Sequence, residues 1–445
     1  GLANGYFTYY PFQVGTALYF EGVFRLFGTT ATWPVSLTNA LWWALSVYCG
    51  YRITGCMGGG DLLPQGVYLM LAALCLPPLL YSPIFYGDVV NIGASFLAVW
   101  WAMQLCQRRR LRYFCGVAAV LAAGTIVRNT LLIPALAILL VFAAGYPAAP
   151  APPKRWARHL LAGAGLLLVF GLCLNSGLLL NRYMRFRAGL SLGPGLPKSS
   201  WLVMGSKESA RGCGWYDGWP DWVVEASGGD MRLADQKSRI ELRHRYEGFA
   251  RDPAYAARFF HQKMASQWAD PTFESLLSYS HIWDDAGRIE GSGFLASVYD
   301  GALRPCAILW MDQYQNLIYL AALAWLLREC FGKGAGQRAP IYALLPVAVF
   351  LGGFFFYLFW EAKGRYCLPF FLMLLPVAAC GVPVFGQTAG KAAGWLQKRR
   401  AGARRGAAAK NTGPSRFTGV KLPCAGLLSR PAFAAAFLAN PIKRK

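Results

Sequence analysis

Six residues pair a charged or reactive group with a place at the edge of a long apolar run: Asp88, Arg128, Glu361, Lys363, Arg365 and Tyr366. Asp88 closes Tyr86-Gly87-Asp88, where a carboxylate at a helix end can serve as a base or sit solvated. Arg128 interrupts an otherwise apolar stretch, and a guanidinium at such a depth suits bidentate binding of phosphate. Glu361, Lys363 and Arg365 lie in Trp360–Tyr366 between the apolar runs 341–359 and 367–385. Two cations against one acid leave that turn net positive, while Tyr366 adds a hydroxyl and a ring of the kind also found in interfacial aromatic belts. Glu361 reads as a partner that positions these cations and not as the base.

A second set is polar and aromatic. Trp201–Gly205 and Gly212–Asp217 are dense in rings and glycine, which suits either stacking on sugar rings or a packed loop. His261, Lys263 and Asp270 close a stretch of mixed charge; they either face a cavity or snorkel from an interfacial helix. The four histidines (His159, His244, His261, His281) show no metal-ligand spacing, and the twelve cysteines include no C-x-x-C pair, so most read as small apolar residues within helices. Gly58-Gly59-Gly60 lacks the Lys-Ser/Thr of a phosphate loop and reads as a link.

The elements that must hold these residues are membrane helices. Of 445 residues, 56% are hydrophobic and 15% charged, against about 25% charged in a soluble domain. The net charge of +23 is therefore read as a marker of sidedness and not of nucleic-acid binding. Between Arg182 and Arg304 lie 15 of the 21 acidic residues together with 16 Lys and Arg, so this segment is polar and nearly neutral. The tail from Gly386 carries 13 Lys and Arg and no acid.

The predicted class is all-α: a polytopic integral membrane protein with about nine spans, a partly helical extracytoplasmic segment and a basic cytoplasmic tail. Residues 1–180 form the first part of the membrane core, with an interfacial or re-entrant helix over 6–28 marked by Glu21 and Arg25. Spans are expected over 33–51, 62–86, 89–105, the two halves of 114–145 split at Arg128, and 160–180. Residues 181–304 form the outer segment, with surface helices over 231–265. Three spans follow in 305–385, and residues 386–445 read as a disordered tail able to touch anionic lipid. Arg108–Arg110 with Arg112, and the Lys154–Arg158 cluster, fix the cytoplasmic side. That assignment sends Asp88, Arg128 and Glu361–Tyr366 outward together, beside the polar segment and Cys213, while Cys424 stays inside.

In order along the chain stand Tyr9-Tyr10-Pro11, Ser82-Pro83 with Tyr86-Gly87-Asp88, Arg128-Asn129-Thr130-Leu131-Leu132-Ile133-Pro134, and Glu361-Ala362-Lys363-Gly364-Arg365-Tyr366-Cys367-Leu368-Pro369. This ordered set resembles the GT-C class of membrane glycosyltransferases, in particular the bacterial relatives of protein O-mannosyltransferases and lipid A aminoarabinose transferase. Such enzymes move a sugar from a polyprenyl-phosphate donor to a cell-envelope acceptor, which may be protein, lipid or glycan, on the outer face of the bacterial plasma membrane. The resemblance gives Asp88 the second acidic position of the site and gives Arg128, Arg365 and Lys363 the leaving phosphate. Glu361, Tyr366, Tyr10, His261 and Lys263 complete the candidate substrate-binding set. The family's main catalytic Asp lies in a first outer loop that this sequence does not contain, so an N-terminal piece is expected upstream of Gly1. No cofactor is certain; some relatives use a divalent metal and others none, so metal use stays open. The alternative is a non-enzymatic transporter or flippase for a lipid-linked saccharide, which would spread its polar residues along a path through the bilayer.

Overall fold

A computed structural model describes residues 5–145, 153–277, 293–332 and 338–386 of the chain. The tail beyond Gly386, the Lys333 loop, His281 and Cys424 lie outside the described residues. What is described is almost wholly helical, as the composition predicts. The only strands among these residues are Glu208–Ser209 and Gly212–Cys213, paired antiparallel with Glu208 opposite Cys213.

Helices occupy each expected apolar run, but their lengths and bends differ from the even series of crossings expected. Two are long and apolar enough to cross a membrane, Asp88–Arg108 and Ile341–Phe359, and two bent pairs raise the number to four if each pair is one span. These helices make the chain membrane-associated. The apolar helices Leu62–Ala73, Leu111–Val127 and Asn129–Ala144 are shorter. Residues 62–86 are not one helix: the chain breaks after Ala73 and restarts as Leu76–Leu80. Pro77 and Pro78 account for the break, since proline lacks the N–H a helix needs and disfavours helical geometry in the residue before it.

Both bent pairs turn by 55°. In the first, His159–Leu174 passes into Ser176–Ala188, so the crossing expected over 160–180 bends at Asn175. The second half carries Arg182, Arg185 and Arg187 and leaves Phe186 exposed, a pattern of an interfacial helix. In the second pair, Gly364–Leu372 passes into Leu374–Gly386. Pro376 leaves the Leu372 carbonyl without its helical donor, which is the reason for a break there.

The last bent helix is the axis of the fold. Cys367–Leu368 and Phe370–Ala379 are almost entirely buried, packed with Ile92, Phe96, Val99 and Met103 of the Asp88–Arg108 helix in one apolar cluster. By contrast Leu167, Leu168, Leu320, Leu323 and Phe355 are half-exposed or more on other helices, as side chains facing lipid would be.

The polar segment 181–304 is ordered by its own caps. The Asp230 carboxylate accepts from the Arg232 and Leu233 amides and opens Met231–Arg251. Asp252 accepts from the Tyr255 amide, and with Pro253 at the first helical position it ends that helix and starts Pro253–Trp268. The surface helices predicted over 231–265 are these two.

Candidate anion-binding mouth

Asp88 stands at the first turn of the Asp88–Arg108 helix, where the positive end of the helix dipole favours a carboxylate. Arg128 occupies the break between Leu111–Val127 and the turn Asn129–Leu131, with extended backbone that throws its side chain off both helices. The two meet: Arg128 Nη2 lies 2.5 Å from Asp88 Oδ1, and both residues are buried. Asp88 Oδ2 and Arg128 Nε are buried with no hydrogen-bond partner among the described residues.

Tyr86 joins this pair to the distant turn at residue 361. Its ring lies 4.3 Å from the Arg128 guanidinium carbon and 4.2 Å from that of Arg365. Its hydroxyl accepts from Gln13 Nε2 at 2.7 Å. Tyr366 lies farther from the same two guanidinia, at 5.7 and 5.4 Å, and 5.7 Å from Lys363 Nζ. Arg365 Nε is also buried and without a hydrogen-bond partner among the described residues. Two guanidinium groups held by aromatic faces, each with an unused N–H, and one carboxylate with an unused oxygen form a site suited to an anion and a proton.

The backbone fits around this cluster through glycine. A Cβ on Gly15 would fall 1.7 Å from the Ile126 carbonyl oxygen, so only glycine lets the Gln13–Phe27 helix approach the end of Leu111–Val127. The neighbouring Thr16 hydroxyl donates to the Val127 carbonyl at 2.7 Å, next to Arg128. A Cβ on Gly364 would fall 2.8 Å from Asp270 Oδ2, which seats the start of the last helix on the loop after Trp268.

Glu361 is buried, and burial pushes its carboxyl up to about 7 against the pull of Lys363 and Arg365. Its neighbours are fixed from the outer segment: the Ala362 amide donates to the Gly214 carbonyl at 2.7 Å. Lys263 Nζ donates to the carbonyls of Gly205 at 2.5 Å and Trp360 at 2.7 Å.

That placement corrects the expectation for Lys263. It is fully buried, and its amine is committed to two backbone carbonyls and not to a cavity; burial pushes it down to about 7. His261 lies on the same helix and is exposed. Tyr10 donates to Asp221 Oδ1 at 3.4 Å and packs against Trp201. Asp221 also accepts from Tyr216. Trp201 stacks on Trp360 with the ring planes 11° apart, so the aromatic cluster is packed against itself. Cys213, expected to be an outer thiol, is buried beside Gln262.

Asp88, Arg128, Arg365, Lys363, Glu361 and Tyr366 are thus brought together; Lys263 reaches the Trp360 carbonyl beside Glu361 with its amine committed to backbone, and Tyr10 and His261 are not among them. Sequence reasoning missed Tyr86 and Glu274. Tyr86 was within reach, two positions before Asp88; Glu274, whose Oε2 accepts from the Arg365 amide at 3.3 Å, has no local signal. Among the described residues no three His, Cys, Asp or Glu side chains converge as metal ligands would. No protein-family model matches the chain, and no curated protein and no solved structure matches it either.

Proposed function

We propose that this chain is a GT-C class membrane glycosyltransferase, which moves a sugar from a polyprenyl-phosphate donor to a cell-envelope acceptor at the outer face of a bacterial plasma membrane. The observation that carries this reading is the pair Arg128 and Arg365, both against the Tyr86 ring, beside the buried Asp88. In the transfer, the bond between the anomeric carbon and the phosphate oxygen breaks, and a bond to the acceptor oxygen forms. The leaving phosphate gains one negative charge, and Arg128 and Arg365 supply fixed positive charge and free N–H groups there. The acceptor hydroxyl gives up its proton, and the free oxygen of Asp88 can take it. The chemistry needs no covalent bond to the protein.

The same reading arranges the membrane helices as about nine crossings, the short and bent ones included, with 181–304 outside. Basic clusters at one set of helix ends support that sidedness. The charge-free runs 62–76 and 341–359 weigh against a polar path through the bilayer and hence against a transporter. The test is transfer of labelled sugar from a polyprenyl-phosphate donor by full-length protein in membranes, with Asp88→Ala and Arg365→Ala. Loss of turnover in both supports the assignment; unchanged turnover in both overturns it.

A further inference from the structure

Among the described residues only Arg109, Phe273 and Glu274 are non-glycine residues with positive φ, and the last two are consecutive, at 48° and 59°. Left-handed backbone at such residues is unfavourable and persists only where the surroundings hold it, most often at functional sites. Here the surroundings do hold it. Asp270 accepts from the Thr272 and Glu274 amides at 3.0 and 3.1 Å, and from the Thr272 hydroxyl at 2.7 Å. The Phe273 ring is buried against Phe371, and its carbonyl accepts from the Tyr81 hydroxyl.

The effect of this geometry is to aim one buried carboxylate at the start of the last helix. Glu274 is 5% exposed, and its Oε2 accepts the Arg365 N–H at 3.3 Å. Its Cγ lies where a Cβ on Gly364 would come within 3.4 Å, so the loop and the helix start interlock. The Arg365 amide is one of the first-turn donors that have no partner inside the helix. Burial raises the Glu274 carboxyl above its ordinary range, with Lys363 and Arg365 opposing that rise.

We infer that Glu274 is a positioning residue of the mouth: the strained Phe273–Glu274 pair holds its carboxylate on the Arg365 amide and thereby sets where the Arg365 guanidinium meets the donor's phosphate. This rests on the donor reading above. Glu274 acts through Arg365 and takes no proton from the substrate. A side-chain oxygen at this position is therefore required, and its negative charge is not.

Binding of undecaprenyl phosphate to full-length protein in detergent, followed by intrinsic fluorescence, tests this with three variants and their melting temperatures. Glu274→Ala loses the acceptor and weakens binding by about tenfold, the effect of one hydrogen bond worth about 1.4 kcal/mol. Glu274→Gln keeps an oxygen facing the Arg365 amide and stays within about threefold of wild type, less than the loss of that bond. Glu274→Gly binds as weakly as Glu274→Ala but melts at a higher temperature than it, because glycine accepts the left-handed backbone. Equal binding by Glu274→Ala and wild type overturns the inference, as does a Glu274→Gln as impaired as Glu274→Ala. A Glu274→Gly that melts no higher than Glu274→Ala removes the strain from the account and overturns it too. If wild type itself has no affinity for undecaprenyl phosphate, the donor reading falls and takes the inference with it.

Discussion

The Arg365 guanidinium lies 4.2 Å from the centre of the Tyr86 ring, and Arg128 lies at 4.3 Å from the same ring. Two like charges that share one ring repel, and that ring, together with Asp88, offsets the repulsion. Replacing Tyr86 by Phe keeps the ring and is expected to leave stability within about 1 kcal/mol of wild type; Tyr86→Ala is expected to lose roughly 2–4 kcal/mol through the cavity and the two lost ring contacts. Chemical denaturation in detergent checks both, and equal losses in the two variants would count against the ring.

Asp88→Ala strands the buried Arg128 guanidinium. A buried pair broken on one side is expected to cost about 3–5 kcal/mol, and Asp88→Ala with Arg128→Met is expected to regain part of it without regaining turnover. Thermal melts of the single and double variants, with transfer assays alongside, decide this. A double variant less stable than Asp88→Ala would show that Arg128 is held by something other than its partner.

Glu361 titrates near 7 because it is buried. Below that pH its carboxyl is neutral and the mouth is more positive; above it the mouth gains a negative charge, so affinity for an anion falls as pH rises. The donor's phosphodiester keeps one negative charge over this range, so the change belongs to the protein. The KM for the donor is expected to rise roughly tenfold between pH 6 and 8, and Glu361→Gln to reduce that rise to the part left by Lys263, whose amine beside Trp360 is also pushed down to about 7. The same shift has a stability consequence: with its folded pKa raised, Glu361 opposes folding increasingly as pH rises from about 4.5 through 7.

Gly15 and Gly22 lie on one helix in opposite settings. A Cβ at Gly15 meets the Ile126 carbonyl at 1.7 Å, while one at Gly22 meets nothing within 4 Å. Gly15→Ala is expected to destabilise by about 1–3 kcal/mol and Gly22→Ala to stabilise by about 0.5–1 kcal/mol. Opposite shifts in melting temperature confirm the close approach of this helix to Ile126, two residues before Arg128.

Sidedness can be read from native cysteines. Cys306 and Cys330 sit near opposite ends of the Arg304–Phe331 helix and are both exposed. An impermeant maleimide on intact cells is expected to label Cys306 and not Cys330. The reverse pattern would turn the mouth to the cytoplasm.

The parts of this fold legible in the sequence were those that hydrophobicity and charge decide. Apolar runs mark helices, and basic clusters alone were enough to send Asp88, Arg128 and the Glu361–Tyr366 turn to one end, where the structure brings their side chains together. Bends were harder. Asn175 breaks its helix with no proline nearby, and the break at Met373 is set by a proline three residues on. Lys263 carries the sequence marks of a cavity-facing lysine, but whether an amine meets water or two carbonyls depends on Gly205 and Trp360, which lie far off in the chain. Glu274 lay beyond reach for a similar reason, since its role depends on a backbone angle that glutamate rarely adopts.

The Lys263 amine, bound to one carbonyl of the outer segment and one beside Glu361, bears on engineering. A chimera that exchanged residues 181–304 would have to bring a lysine, or an equivalent pair of donors, to that point. Without it the graft would fold over an unanchored turn at Glu361.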